Sequence, residues 1–266
     1  MNAPVTTRMP DCSLYGNALA RLADSGIPFL IGGAFALERY TGIARNTKDL
    51  DIFLHPRDVT RTLAELGTMG CRTAVPFPHW LAKAITEDGI IDFIFSSGNG
   101  VAQVDDGWFE HAVDATVLDV PVKLCPPEET IWSKALIMER ERYDGADVLH
   151  LLRAVGPGLD WHRLLRRFGP HWRVLLSHLT LFGFVYPGER WRIPEEVMRE
   201  LIGRLEGEID GRHHDERLCY GTMLSRAQYL TDLGEGYADA RWQPDVHMTR
   251  EEIAIWTRAI AEEKKG

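Results

Sequence analysis

At Pro126-Pro127 the hydrophobic pattern of this 266-residue chain changes period, and one repeating element type cannot satisfy both sides of that change. Upstream, short apolar runs alternate with turn signals. Residues 27–31 (IPFLI) predict a buried strand, 34–40 a short helix and 50–54 a second strand. Residues 59–66 then predict a helix, 89–96 (GIIDFIFS) a third strand and 120–124 a fourth. Such alternation predicts an α/β layer over residues 1–125. Downstream the apolar residues recur with the 3.6 period, which predicts a helical region over 126–266. Its segments are 128–142, 147–155, 161–168, 172–184, 195–209 and 250–262. Glu128 and Glu129 fall in the first predicted turn, where carboxylates complement the helix dipole. There is no internal repeat and no low-complexity linker.

Composition narrows the function classes. With 45% hydrophobic residues and 26% charged, the chain reads as globular rather than disordered or fibrous. A net charge of −9 disfavours a protein that coats nucleic acid or lies on an anionic membrane, since either would be repelled at long range. The acidity sits in the α/β half: residues 1–125 carry 15 acidic and 10 basic side chains, whereas 157–217 carry 10 of each. The apolar stretch 27–37 is interrupted by Gly32 and Gly33 and is too short to cross a bilayer, so no membrane partner is expected. The N-terminal MNAPVTTRMPDCSLYG has no apolar core of a signal peptide, which predicts a cytoplasmic chain. Cys12, Cys71, Cys125 and Cys219 form no CxxC pair and are expected as reduced thiols.

The chemistry is concentrated in residues 30–54, LIGGAFALERYTGIARNTKDLDIFL. Gly32-Gly33 lies between a predicted strand and a predicted helix, where bare backbone N–H groups can approach an anion. Asp49 and Asp51 follow on a strand. Side chains at i and i+2 share a face, about 6.5 Å apart, and two such carboxylates can converge on a pair of divalent cations. Asp92 lies within the apolar run 90–95, where a carboxylate is costly to bury unless a metal, a donor or a base role compensates it.

This order of residues resembles the signature of the DNA polymerase beta-like nucleotidyltransferase superfamily, and in particular its small bacterial members that include the nucleotidyltransferase toxins of type IV toxin–antitoxin systems. The resemblance covers roughly residues 27–155. It implies a small mixed β-sheet catalytic domain followed by a mostly α-helical region. It further implies that Gly32 and Gly33 hold the nucleotide phosphates, that Asp49 and Asp51 bind magnesium, with two ions expected, and that Asp92 is the third carboxylate, as ligand or as base. Arg45 and Thr47 match the R-x-T-x-D-L-D run of many relatives, which places Thr47 at the nucleotide. The Ser common at the second turn position is Gly33 here, so a hydroxyl contact to phosphate is missing. In the block 120–152, Lys134 matches a Lys of the family and Asp144 and Asp147 match its acids, while Tyr143 and Val148 depart from it. Lys134 is then either a triphosphate ligand or the solvated Lys of an amphipathic helix.

Two weaker signals carry alternatives. Residues 160–173 (DWHRLLRRFGPHWR) interleave four Arg with Trp161, Phe168 and Trp172, a mixture that can bind a nucleic-acid strand or a nucleobase, or can pack aromatics inward and solvate its arginines. His213-His214-Asp215-Glu216 contains ligand-type residues, but adjacent helical positions point apart and do not share one ion well. The paired prolines of 76–80 (PFPHW) predict a loop near the carboxylates.

The expectation is a magnesium-dependent nucleotidyltransferase that moves an NMP from an NTP to a hydroxyl acceptor and releases pyrophosphate. A small molecule or an RNA end is favoured as acceptor over a protein. The alternative is a catalytically silent nucleotide- or partner-binding module of the same fold, with a protein partner on its helical C-terminal half.

Overall fold

The structure, a computed structural model, describes residues 12–45, 47–209 and 217–263. The segment 213–216, singled out above for its ligand-type residues, lies outside them, as does most of the N-terminal stretch. The chain forms two compact units, one of residues 1–98 and 103–126 and the other of 99–102 and 127–266.

The first unit is built on a seven-stranded mixed sheet. In chain order its elements are α1 (Cys12–Ser25), β1 (Leu30–Ile31), α2 (Gly33–Thr41), β2 (Asp49–Phe53), α3 (Val59–Thr68), β3 (Arg72–Phe77), β4 (Leu81–Ile85), β5 (Ile90–Ile94), α4 (Asp106–Glu110), β6 (Val113–Val117) and β7 (Val120–Leu124). The strands lie in the order β3-β4-β5-β2-β1-β7-β6. β2 pairs with β5 and β1 with β7 in parallel; the other neighbours run antiparallel.

Alternation decides what each face of the sheet carries. Leu50 and Ile52 of β2, Ala82 and Ala84 of β4, and Ile91 and Phe93 of β5 are buried with Tyr15, Leu19 and Leu22 of α1 and Leu66 of α3 in one apolar core. Each large aliphatic or aromatic side chain so placed stabilises the fold by about 1.5–3 kcal/mol. The intervening positions, Asp49, Asp51, Lys83 and Asp92, therefore fall on the opposite face, each only partly buried.

Three strands and two helices of this unit differ from the sequence expectation. The proline-bearing 76–80 segment is not simply a loop: β3 reaches Phe77, and a short turn closed by Trp80 N–H donating to the Phe77 carbonyl leads into β4. Pro76 is tolerated because β3 is an edge strand whose register shifts between Ala74 and Phe77. β6 was hidden because its hairpin to β7 turns through Leu118 and Asp119, at φ 50° and 64°, without the Asn-Gly or Asp-Gly that marks such turns. The predicted third strand is thus the fifth of the chain.

The second unit contains α5 (Pro127–Ala135), α6 (Gly145–Val155), α7 (Trp161–Phe168), α8 (Trp172–Val185), α9 (Glu195–Ile209), α10 (Leu230–Gly234) and α11 (Arg250–Glu263), with a short parallel pair of strands, β8 (Leu218–Cys219) and β9 (Ala238–Asp239), that the helical pattern did not predict. The helix expected over 128–142 ends at Ala135.

In this unit the arginine-rich segment packs its aromatics inward as the second alternative has it, and Arg166 and Arg173 are exposed, but Arg163 and Arg167 turn inward. Arg163 is buried, and its guanidinium donates to both Glu129 oxygens at 2.6 Å and to Glu128. Arg167 donates to Glu129 at 2.9 Å. The two glutamates lie in the first turn as expected, but they are buried and hold α5 to α7 through these pairs. Trp161, Phe168 and Trp172 are buried as well. Among the described residues no helix is long and apolar enough to cross a membrane, and Cys71, Cys125 and Cys219 form no disulfide.

Candidate functional site

Strand register sets two of the three carboxylates side by side and leaves the third on the same face. Asp51 of β2 stands directly beside Asp92 of β5, and Asp92 in turn lies opposite Lys83 of β4. Neighbouring strands are about 4.8 Å apart, so Lys83, Asp92 and Asp51 form one row across three strands. Asp49 is two residues before Asp51 on the same face.

Two glycines bring the backbone onto this row. Gly32 donates its N–H to the Asp51 carbonyl at 3.0 Å, which ties the end of β1 to β2. Gly33, the first residue of α2, has φ 54°, and a Cβ at this position would overlap the Asp51 carboxylate. Glycine is required twice over here, by the left-handed conformation and by the closeness of the acid. The missing hydroxyl at position 33 thus has a cause: there is no space for the side chain that would bear it. A Cβ on Gly32 would overlap the Phe53 ring. α2 begins at Gly33, so its N-terminal end lies beside Asp51.

The hydroxyl of Thr47 lies 2.6 Å from Asp49 Oδ1 and 3.0 Å from the Asp49 carbonyl, so it orients that carboxylate. Arg45 is exposed on the segment leading into β2. Lys134 lies in the second unit, where its ammonium donates to Asp144 at 3.0 Å and to Asp147 at 2.8 Å. Arg142 also donates to Asp144, and these cations hold the Asp144 carboxyl below its ordinary range despite its burial. Lys134 and the two acids expected beside it are therefore partners of one another.

The residue that sequence reasoning missed is Lys83. Its ammonium donates to both oxygens of Asp92, at 2.7 and 2.9 Å. Burial pushes the Asp92 carboxyl above its ordinary range; Lys83 opposes this, and the negative charge of Asp49 adds to it. The signal that could have found Lys83 is a lone Lys amid 81–85 (LAKAI), a short apolar alternation adjoining the run that carries Asp92.

The donor set suits magnesium in kind, because carboxylate oxygens are the hard ligands that ion takes. Asp49, oriented by Thr47, and Asp51, packed against the Gly33 backbone, lie on one face and fit one such ion. Among the described residues no group of three or more His, Cys, Asp or Glu side chains is gathered to hold a metal. A second ion at Asp92 would have to compete with the Lys83 ammonium, which donates to both of its oxygens.

No protein-family model matches the sequence, and no curated protein is similar to it. The chain is similar in structure to the antibiotic-resistance factor ANT(2'')-Ia, at 16% identity over 74% of this chain and 92% of that one, with a TM-score of 0.38. It is also similar to the lincosamide antibiotic adenylyltransferase LnuA, at 15% identity over 53% and 95% with a TM-score of 0.39. A nucleotidyltransferase-like protein from Paracoccidioides brasiliensis is similar at 17% identity over 67% and 95%, with a TM-score of 0.40.

Proposed function

We propose that this protein is a nucleotidyltransferase that transfers an NMP from an NTP to a hydroxyl acceptor. The observation that carries the reading is the row of Asp51 and Asp92 in register, with Asp49 on the same face and the Gly33 backbone against Asp51. A catalytically silent module would have little use for three acids on one face of the sheet beside a glycine turn.

In the reaction the acceptor oxygen forms a bond to the α-phosphorus of the NTP, the bond from that phosphorus to the bridging α–β oxygen breaks, and pyrophosphate leaves. Asp49 and Asp51 would hold magnesium, which when bound neutralises phosphate charge and makes the acceptor hydroxyl more acidic. The N–H groups at the start of α2 would hold phosphate oxygens and align the NTP for in-line attack. Asp92, whose carboxyl burial pushes above its ordinary range, would take the acceptor proton, since a base is more effective as its pKa approaches the working pH. Thr47 acts through Asp49 as a positioning residue.

A small-molecule alcohol or an RNA end is the acceptor class in keeping with a chain of net charge −9. Purified Asp49→Asn and Asp51→Asn proteins, assayed for NMP transfer with magnesium, are expected to lose about a hundredfold in rate or more. Transfer at the parent rate in both would remove the assignment.

A further inference from the structure

We propose that Lys83 is the second cation of this site, so that the chain takes one divalent ion, at Asp49 and Asp51, and no ion at Asp92. The inference rests on the nucleotidyltransferase reading and adds to it the number of ions and a new positioning residue.

The register of the sheet carries it. Lys83 is directly opposite Asp92 on an antiparallel neighbour, so the meeting of the two side chains is set by the β4–β5 ladder, from Leu81 against Ile94 to Ile85 against Ile90. The contact is a two-pronged one, 2.7 and 2.9 Å, and it is sheltered: the Asp92 side chain is 13% exposed and that of Lys83 28%. Both carboxylate oxygens therefore already face a positive charge. An ion at Asp92 would have to displace the ammonium and leave it partly desolvated beside a divalent cation, a like-charge contact in a low-dielectric place.

Position completes the argument, because Lys83, Asp92 and Asp51 lie in one row. The ammonium thus stands on the far side of Asp92 from Asp51, where it fixes the Asp92 carboxylate without blocking the Asp49–Asp51 pair.

Mn2+ serves as the probe, titrated into the intact chain alone and then with each of the four α,β-methylene NTPs, with bound ion counted and its electron paramagnetic resonance recorded. One Mn2+ per chain with the six-line signal of an isolated ion is expected, retained in Asp92→Asn and lost in Asp51→Asn. Lys83→Met is expected to raise the count from one to two, whereas Lys83→Arg keeps it at one; circular dichroism melting shows whether the variants are folded. Two ions in the parent chain, a spin-coupled pair, or an unchanged count in folded Lys83→Met would overturn the proposal. Two ions in a chain whose transfer still depends on Asp49 would leave the enzyme reading intact. One ion in a chain that transfers no nucleotide would leave the ion count intact and remove the enzyme.

Discussion

Gly33 shows how far a single residue governs this site. Its φ of 54° and its closeness to the Asp51 carboxylate exclude any side chain without displacement of the acid. Gly33→Ser, which would introduce the hydroxyl common in the resembling family, is therefore expected to impair the protein rather than to improve it. The left-handed strain alone costs about 1–3 kcal/mol, and movement of Asp51 should reduce NMP transfer; unchanged melting and unchanged transfer in Gly33→Ser would contradict this account. Thr47 makes the complementary case, since it holds Asp49 by a 2.6 Å hydrogen bond. Outer-shell partners of metal ligands contribute roughly 10–100-fold in metal affinity. Thr47→Val should raise the Mn2+ dissociation constant by a factor in that range, with little effect on the melting temperature. Both residues were visible in the sequence, but their roles were not: pattern showed a glycine turn and a Thr before two acids, whereas only coordinates show that Thr47 faces Asp49.

At the scale of elements, what could be read depended on how local the cause was. α7 and α9 carry their apolar stripes within one segment, and their observed bounds, Trp161–Phe168 and Glu195–Ile209, are the predicted ones. β7 matched over Val120–Leu124 for a similar reason. β3 and β6 escaped because both are edge strands, which expose alternate or adjacent residues and need no continuous apolar run. Lys83 escaped with β4. Its meaning depends on a partner nine residues away across a ladder, and no local pattern encodes that register. Arg163 and Arg167 of α7 misled for a related reason, because the glutamates that neutralise them are more than thirty residues earlier on α5. Arg163→Met tests that assignment. It would leave Glu128 and Glu129 buried without Arg163, which should cost about 3–5 kcal/mol in chemical denaturation, while a cost under about 1 kcal/mol would mean that the pair contributes no more than surface charges do.

For the whole molecule, net charge and titration separate the two units. The acids of the first unit are in part the candidate ligands, so the −9 of the free chain overstates the repulsion that a magnesium-bound nucleotide would meet. The second unit carries a pH dependence of its own. His178 is fully buried; its Nε2–H donates to the Ala135 carbonyl at 2.9 Å, and burial holds its pKa below the ordinary 6.5. The unfolded chain therefore binds a proton at a pH where the folded one does not. Stability from this group is complete above about pH 6.5 and declines as pH falls toward the folded value, by about 1.4 kcal/mol per pH unit. Melting of the parent should drop between pH 7.5 and 5.5, and His178→Gln should flatten that drop; equal slopes would show that other groups set it. Asp144 and Asp239, whose carboxyls are held low by their cationic neighbours, release their contributions only in the more acidic window below about pH 4.

The central claim, NMP transfer from the Asp49, Asp51 and Asp92 site, is met most directly by incubating the purified chain with magnesium, each α-32P-labelled NTP in turn and fractionated cell extract, while following both pyrophosphate and acid-stable label. The account predicts that one or more NTPs yield pyrophosphate together with label in an acceptor fraction, and that Asp49→Asn and Asp51→Asn abolish both. Bound NTP with neither product, or label that persists in both variants, would contradict it.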